Sequence, residues 1–151
     1  MTSTDLIRVE HSQRLPVGVH QGFDYITDLG NWHEYWPGLV RIEPGSHWKE
    51  PGDRARLVLR LLGRETEMEM TLGRIDPYRL VEYASEQPGL PNARHGRYFA
   101  DDGSGGLDYR LMVEYEPRRG LRGVFDRVLF RRAVRRALRE TAANLDARLR
   151  G

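Results

Sequence analysis

The sequence contains no cysteine, and Lys49 is the only lysine among its 24 basic residues. The lack of cysteine excludes disulfides, thiolate metal sites and a cysteine nucleophile. No apolar run reaches the roughly 18 residues that a membrane-spanning helix needs, and residues 1–5 have neither the basic nor the apolar region of a signal peptide. These absences predict a soluble protein without a transmembrane segment, and we expect it in the cytoplasm.

The overall composition is typical of a folded globular protein. Apolar residues make up 39% of the 151 residues and charged residues 30%, which is unlike a disordered chain. A chain of this length buries roughly 70% of its unfolded surface when it folds, which is enough for a core with a pocket. We therefore expect a single domain over residues 1–151.

The positive charge is concentrated at the C-terminal end of the chain. Residues 118–151 hold eleven arginines against three acidic residues, a local net charge of +8, whereas residues 1–117 carry a net charge of −6. Three interpretations remain open: a solvated face, contact with an anionic membrane surface through Phe130 beside Arg131 and Arg132, or contact with another macromolecule. The segment has no groove-reading motif and no interleaved stacking aromatics, so we expect no nucleic-acid partner.

The alternation and spacing of apolar residues predict the order of the structural elements. Alternation over residues 6–11 predicts a first strand, which ends before Pro16. Helical spacing follows over residues 21–29, and residues 32–36 form a second short helical turn before Pro37. Six further strands are predicted, over residues 39–48, 54–61, 64–74, 79–86, 95–100 and 107–116.

Residues 54–61 and 64–74 show the pattern of a half-buried hairpin centred on Leu62 and Gly63. Such a hairpin places apolar pairs on its inner face and opposite charges on its outer face. The expected pairs are Leu57 with Met68 inside, and Arg60 with Glu65 and Arg56 with Glu69 outside. Leucine is unfavourable at the positive φ of a two-residue turn, so a longer loop is the alternative.

Residues 124–149 are predicted to form one long helix, since they contain no glycine or proline. Its apolar stripe is the only large surface available to cover the inner face of the strands. The stripe comprises Phe125, Val128, Leu129, Val134, Leu138, Thr141, Leu145 and Leu149. The predicted fold class is α+β, with a curved antiparallel sheet of six to seven strands wrapped around the C-terminal helix and two short helices after the first strand. This arrangement suits an apolar ligand cavity between sheet and helix.

Residues 23–38, FDYITDLGNWHEYWPG, resemble a segment of the START-like superfamily, which includes polyketide cyclases/dehydrases and lipid-transport proteins. The shared pattern is an aromatic residue and a carboxylate in the first helix, then Asp28, Trp32 and a Pro-Gly exit. Residues 141–145 also resemble the end of the closing helix of that superfamily. The resemblance implies the helix-grip fold and a hydrophobic ligand bound without a cofactor. It implies no particular reaction, because its members include aromatases, lipid and sterol carriers, hormone receptors and chaperone cofactors.

Five polar side chains are expected on the otherwise apolar inner face of the sheet, namely Tyr83, Ser85, His95, Arg97 and Tyr109. They reach water at the rim, or they contact a ligand or one another, because an unpaired guanidinium cannot lie in an apolar space. Arg97 could polarise a ketone or hold an enolate, with Tyr83 or Tyr109 as proton donor and His95 as general base. Alternatively, the register slips by one residue, which turns Arg97 outward and Tyr98 inward.

Two functions are consistent with these features. The first is a binding or carrier protein for a hydrophobic small molecule of polyketide, lipid or isoprenoid type. The second is a polyketide cyclase/dehydrase-like enzyme that catalyses aldol cyclisation and dehydration in the same cavity. Catalytic residues stay unassigned, with Arg97, His95, Tyr83 and Tyr109 as candidates. The expected ligand-binding residues are Trp36, Leu57, Leu59, Met68, Met70, Val81, Tyr83, Arg97, Phe99, Tyr109, Leu111, Phe125 and Leu129.

No metal site is expected from the histidines, which show neither i, i+4 pairing nor an HExxH-like helix. The five are His11, His20, His33, His47 and His95. Asp28 is expected to cap a helix rather than to act in catalysis. The glycine-rich residues 103–106 join two predicted strands, so we expect a hairpin loop there instead of a phosphate site.

Overall fold

One antiparallel sheet of seven strands curves around a long C-terminal helix in the computed structural model, which describes residues 5–151. The strands are β1 (Ile7–Leu15), β2 (Leu39–Ile42), β3 (Arg54–Leu61), β4 (Arg64–Asp76), β5 (Leu80–Glu86), β6 (Ala93–Asp101) and β7 (Leu107–Tyr115). Their order across the sheet is β1-β7-β6-β5-β4-β3-β2. The predicted fold class is confirmed.

Two short helices follow the first strand, as predicted. They are α1 (Val19–Thr27) and α2 (Trp32–Tyr35), joined by a 3₁₀ turn at Leu29–Asn31. Asp28 has the capping role predicted for it, because its Oδ1 accepts the Gly30 N–H at 2.9 Å.

The C-terminal helix consists of α3 (Leu121–Phe125), a π-helical turn (Asp126–Phe130) and α4 (Arg131–Arg150). The Asn144 side chain donates to the Tyr35 carbonyl at 3.0 Å and so ties α4 to α2. The core lies between the inner face of the sheet and the helices α1, α2 and α4. Within residues 5–151, no helix combines the length and the apolar composition needed to cross a membrane.

The β3–β4 hairpin has the predicted pairing. Leu57 is opposite Met68 on the buried face, and Arg56 Nε donates to Glu69 at 3.0 Å on the exposed face. The turn contains only Leu62 and Gly63, with φ angles of 54° and 77°, so the alternative of a longer loop is wrong. Leu62 thus adopts a left-handed conformation that costs a non-glycine residue about 1–2 kcal/mol.

The bounds of β1 and β2 differ most from the prediction, and those of β4 to β7 differ by one or two residues. β1 continues to Leu15, which pairs with Leu107 of β7, and only Pro16 ends it. β2 ends at Ile42 instead of residue 48, because Gly45 with φ of 86° turns the chain away from the sheet. Trp48 is consequently free to pack into the core, where it is 5% exposed.

The π-helical turn changes which side chains of the C-terminal helix face the sheet. A π turn fits an additional residue into one helical turn and so rotates the side chains around it. Asp126 and Phe130 are therefore buried, at 0% and 4% exposure, whereas Val128 and Leu129 are half exposed. The predicted burial of Val128 and Leu129 is wrong, and a surface contact through Phe130 is excluded. The remaining stripe is confirmed at Val134, Leu138, Thr141 and Leu145, which are buried.

Candidate ligand-binding site between the sheet and the C-terminal helix

The central strands bring the predicted polar residues together on the inner face of the sheet. Tyr83 is directly opposite His95, and Arg97 is opposite Val81 and Leu111 in the strand pairing. Tyr98 lies on the other face, where its hydroxyl donates to Glu82 at 3.0 Å. The alternative register, with Tyr98 inside and Arg97 outside, is therefore excluded.

A small interior cavity of about 40 Å³ lies beside Arg97. It is lined by Ile26, Thr27, Trp32, Tyr35, Trp36, Trp48, Met70, Val81, Tyr83, Arg97, Phe99 and Thr141. This volume holds one or a few water molecules and is smaller than the roughly 150 Å³ at which an apolar cavity admits benzene. A larger molecule can enter only if aromatic side chains of the lining move.

Several predicted ligand-binding residues lie elsewhere in the fold. Leu59, Tyr109 and Leu111 are buried in the core without lining the interior cavity. Leu57 and Met68 line a separate groove of about 930 Å³, together with Gln87. Leu129 lies on the surface, as described above. Phe125 is half-buried and packs against the core.

Three tryptophans form the aromatic wall of the cavity. Trp48 lies between Trp32 and Tyr83, with ring centroids 5.5 Å and 5.2 Å away and the rings edge-on. Trp36 packs on Trp32 at 5.4 Å. Trp32 is fixed in place because its indole N–H donates to the Ile26 carbonyl at 3.0 Å. Edge-on and tilted aromatic packing of this kind gives specific geometry as well as apolar burial.

Arg97 provides a positive charge at the cavity that no acidic group neutralises. Its guanidinium lies 5.6 Å from the centre of the Tyr83 ring and donates to the Gly96 carbonyl at 3.3 Å. Among residues 5–151, no carboxylate forms an ion pair with it. Arginine stays protonated in proteins, so the cavity carries a full positive charge at neutral pH.

Three tyrosines interact electrostatically with the charge of Arg97, and their hydroxyls remain protonated. Burial raises the pKa values of Tyr35, Tyr83 and Tyr109 above the ordinary value of 10, so each can donate a hydrogen bond at neutral pH. The Tyr35 hydroxyl donates to the Ile26 carbonyl at 2.8 Å. The Tyr109 hydroxyl is buried and has no partner in the described part of the chain. The proton of Tyr35 is already used in its bond to Ile26, and a carboxylate, an enolate or a carbonyl oxygen is the kind of group that Arg97, Tyr83 and Tyr109 can bind.

His95 is close to this set but does not line the cavity. Its ring stacks on Tyr83 with centroids 4.5 Å apart, and its Nε2 is 2.7 Å from the Ser85 hydroxyl. Burial, and secondarily the charge of Arg97, lower the pKa of His95 to about 3. A neutral imidazole with so low a pKa is a poor general base at neutral pH.

We expect acid to destabilise the fold through His95. The unfolded chain takes up a proton at its ordinary pKa near 6.5, whereas folded His95 does so only near 3. Its contribution to stability is thus fully present above pH 6.5 and is lost as the pH falls toward 3. Between pH 7 and pH 5 the free energy of unfolding should drop by about 2 kcal/mol through this group, as measured by urea denaturation.

The matched comparison is between His95→Gln and His33→Gln. His33 is exposed on α2, so its replacement should leave the pH dependence of the wild type intact. His95→Gln should give a flatter profile between pH 7 and pH 5. An unchanged profile in His95→Gln would show that another group causes the acid sensitivity.

The predicted set of ligand-binding residues left out three aromatic residues that line the cavity, namely Trp32, Tyr35 and Trp48. Trp32 and Tyr35 are three residues apart on α2, and this spacing could have placed both on the face that covers the sheet. Trp48 offered no such signal, because its position depends on the early end of β2. In the part of the chain that the structure describes, no cluster of three acidic or histidine side chains is arranged to hold a metal ion.

A curved antiparallel sheet around a C-terminal helix, with aromatic and polar groups between them, defines a helix-grip protein. The family described as polyketide cyclase / dehydrase and lipid transport matches residues 7–150. The chain belongs to this family, as the resemblance of residues 23–38 had indicated. None of the curated proteins compared with the chain matches its sequence.

Solved structures share the fold at low sequence identity. The Zhui aromatase/cyclase from Streptomyces sp. R1128 is 13% identical, with a TM-score of 0.83 over 96% of this chain and 94% of the other. A START superfamily protein from Mycobacterium smegmatis is 10% identical, with a TM-score of 0.77 over 95% and 97% of the two chains. A conserved protein from Geobacillus kaustophilus, also 10% identical, has a TM-score of 0.77 over 95% of each chain. At such identities the similarity establishes the fold alone.

Proposed function

We propose that the protein binds a hydrophobic small molecule of polyketide, lipid or isoprenoid type between the sheet and the C-terminal helix. The apolar part of the ligand lies against Trp32 and Trp48, and an oxygen-bearing group of the ligand binds Arg97. The observation that carries this proposal is the unneutralised guanidinium of Arg97 beside a cavity. A partly buried charge without an acidic partner is costly, and a bound carboxylate or enolate would lower that cost.

The unpartnered hydroxyl of Tyr109 supports the same assignment. Buried polar groups in folded proteins are almost always hydrogen-bonded to protein or water. Tyr109 is 1% exposed and the nearby Arg97 interacts with it electrostatically. A ligand oxygen between Arg97 and Tyr109 would satisfy both groups at once.

A cyclase/dehydrase-like enzyme is the second candidate, favoured by the protonated tyrosines beside Arg97. In an aldol cyclisation, an enolate carbon of a poly-ketone attacks a ketone carbon of the same molecule. Arg97 would stabilise the alkoxide that forms, and Tyr83 or Tyr109 would donate the proton that converts it to a hydroxyl. Loss of water then completes the dehydration. The position and low pKa of His95 do not favour it as the base, so the base for enolate formation is unassigned.

The test compares 2-naphthoate with the uncharged 2-naphthamide, two probes of the same shape. Arg97→Met should weaken naphthoate binding by about 10- to 100-fold, the usual effect of losing a hydrogen bond to a charged group, and should change naphthamide binding little. Arg110→Met is the matched control, because Arg110 stacks on Tyr98 at 4.2 Å on the outer face of the sheet. Titration calorimetry or ligand fluorescence measures both affinities.

Two outcomes would contradict the role of Arg97. Equal losses for the acid and the amide would show that Arg97→Met perturbs the cavity as a whole. Unchanged naphthoate binding would show that Arg97 does not contact the ligand.

Native mass spectrometry of the purified protein, followed by denaturing extraction, identifies any retained apolar molecule. Turnover of a linear poly-ketone that Arg97→Met abolishes would favour the enzyme over the carrier.

A further inference from the structure

Exposed aliphatic side chains gather on one part of the surface. Leu121, Val124, Val128 and Leu129 of the C-terminal helix are at least half exposed, with Leu121 at 89%. Leu62, at the tip of the β3–β4 hairpin, is 48% exposed. Leu62 and Leu129 line the same groove of about 580 Å³, so the hairpin tip and Leu129 lie on the same face of the protein.

This groove is also basic. Arg60, Arg132 and Arg136 line it, and we call it the basic groove. Glu140 is its only acidic lining residue among those described, and it is paired with Arg136 at 2.8 Å. Arg60 is paired with Glu65 at 3.6 Å, so among the described residues Arg132 is the groove arginine without an ion pair, and it lies in the same groove as Leu62 and Leu129.

The arginines next to this face have no acidic partners. Arg119, Arg122, Arg131, Arg132 and Arg135 are exposed, and within residues 5–151 none of them forms an ion pair. Many exposed arginines elsewhere, such as Arg56 on β3, are paired with carboxylates, whereas Arg64 and Arg94 have no such partner in the described part of the chain. The charge at the start of the C-terminal helix is thus available to an anionic partner.

Leu62 is an unfavourable residue for its own backbone. Its φ of 54° is one that glycine or asparagine adopts with less strain, and its half-exposed side chain adds little to the core. A strained residue with an outward-facing side chain is typical of a functional contact. The strained, outward-facing Leu62 therefore favours a contact with a partner outside the protein.

We propose that this face docks on an anionic phospholipid membrane surface. The aliphatic side chains enter the boundary between headgroups and acyl chains, and the arginines bind lipid phosphates while their stems lie along the apolar layer. Exposed leucine and valine side chains suit a fluid interface, whereas protein interfaces are usually anchored by tryptophan, tyrosine and arginine, with leucine and valine under-represented. The large exposed apolar residues described here include no aromatic one. Docking of this kind does not depend on ligand binding at Arg97.

Sedimentation with lipid vesicles tests the docking. We expect the protein to sediment with vesicles of equal parts phosphatidylglycerol and phosphatidylcholine at low salt. It should remain in solution with phosphatidylcholine alone, and high salt should release it. Replacing Arg132 and Arg135 by glutamine should lower the partition coefficient about 25-fold, because each arginine at an anionic surface contributes about fivefold.

The matched control removes two arginines from the other end of the same helix. Arg148→Gln with Arg150→Gln gives the same change in net charge about 24 Å along the helix. These changes should alter vesicle binding less than about threefold, because screening limits their effect at that distance. Equal losses in the two double variants would overturn docking through this face, because the binding would then follow net charge alone.

Leu62→Asn separates a contact role from a structural one. Asparagine favours the left-handed turn, so the variant should raise the melting temperature by roughly 2–4 °C. Combined with Leu129→Gln it should nevertheless weaken vesicle binding about tenfold. A more stable variant with unchanged vesicle binding would overturn the role of the aliphatic face. A second contrary result is a wild type that fails to bind anionic vesicles but binds soluble polyglutamate. That result would overturn the proposed membrane docking and would indicate an acidic protein as the partner.

Discussion

Replacing Asp126 by alanine is expected to lower the free energy of unfolding by about 3–5 kcal/mol, the usual cost of removing one member of a buried ion pair. Asp126 is fully buried at the π-helical turn. It accepts three hydrogen bonds from Arg118, from the backbone N–H at 2.7 Å, Nε at 3.0 Å and Nη2 at 2.8 Å. Burial alone would raise the pKa of Asp126, but these bonds outweigh it, and the pKa lies below its ordinary value.

Urea denaturation of a small set of variants checks this expectation. Glu140→Ala breaks the exposed pair with Arg136 and should cost less than about 1 kcal/mol. The double variant Asp126→Leu with Arg118→Leu should be more stable than Asp126→Ala, because it leaves no charge without its partner. If Asp126→Ala cost no more than Glu140→Ala, the pair would not stabilise the start of the helix.

The Asp126–Arg118 ion pair joins three parts of the fold: the π-helical turn, the end of β7 and the loop between β5 and β6. Arg118 also donates from Nη1 to the Gly89 carbonyl at 2.9 Å, in the loop between β5 and β6. The Tyr115 hydroxyl, at the end of β7, donates to the Asp126 carbonyl at 2.8 Å. The π-helical turn directs Asp126 inward to these partners. The helix departs from regular α-helical spacing at this point because Asp126 has to reach them.

The same turn explains why the C-terminal helix was predicted less well than the sheet. Alternation along β3 and β4 fixes which side chains are inside, because one face of the pair is buried and a slip of one residue would expose all of it. The predicted burial of Val128 and Leu129 rested on a regular helical period of 3.6 residues. The sequence carries no simple signal for a π turn, and Asp126 is a carboxylate that a hydrophobic pattern assigns to the surface.

The candidate site was predictable in its chemistry and not in its size. Arg97, Tyr83 and Tyr109 were predicted on the inner face because strand alternation gives the direction of each side chain. The volume between them depends on how Trp32, Trp36 and Trp48 pack. Whether this space is open depends on which staggered rotamer each tryptophan side chain adopts. No sequence pattern indicates the rotamer.

Trp36→Ala is expected to open the interior cavity and to strengthen the binding of 2-naphthoate about tenfold or more. Trp36 is only partly buried, and within residues 5–151 no hydrogen bond holds its indole N–H. It lines the cavity, whereas the next residues, Pro37 and Gly38, line the basic groove. Its removal frees space for at least two further carbon groups of the ligand, each worth about 0.8 kcal/mol when buried.

Trp32→Ala is the matched comparison, because Trp32 lines the same cavity four residues earlier. Trp32 is 3% exposed and donates to the Ile26 carbonyl, so its loss should cost about 3–5 kcal/mol of stability, compared with about 1–2 kcal/mol for Trp36→Ala. Calorimetric titration and urea denaturation of both variants separate the two roles. Tighter binding in Trp36→Ala with a nearly intact fold would identify Trp36 as the side chain that controls access to Arg97. Weaker binding would mean that Trp36 contacts the ligand and that access lies elsewhere.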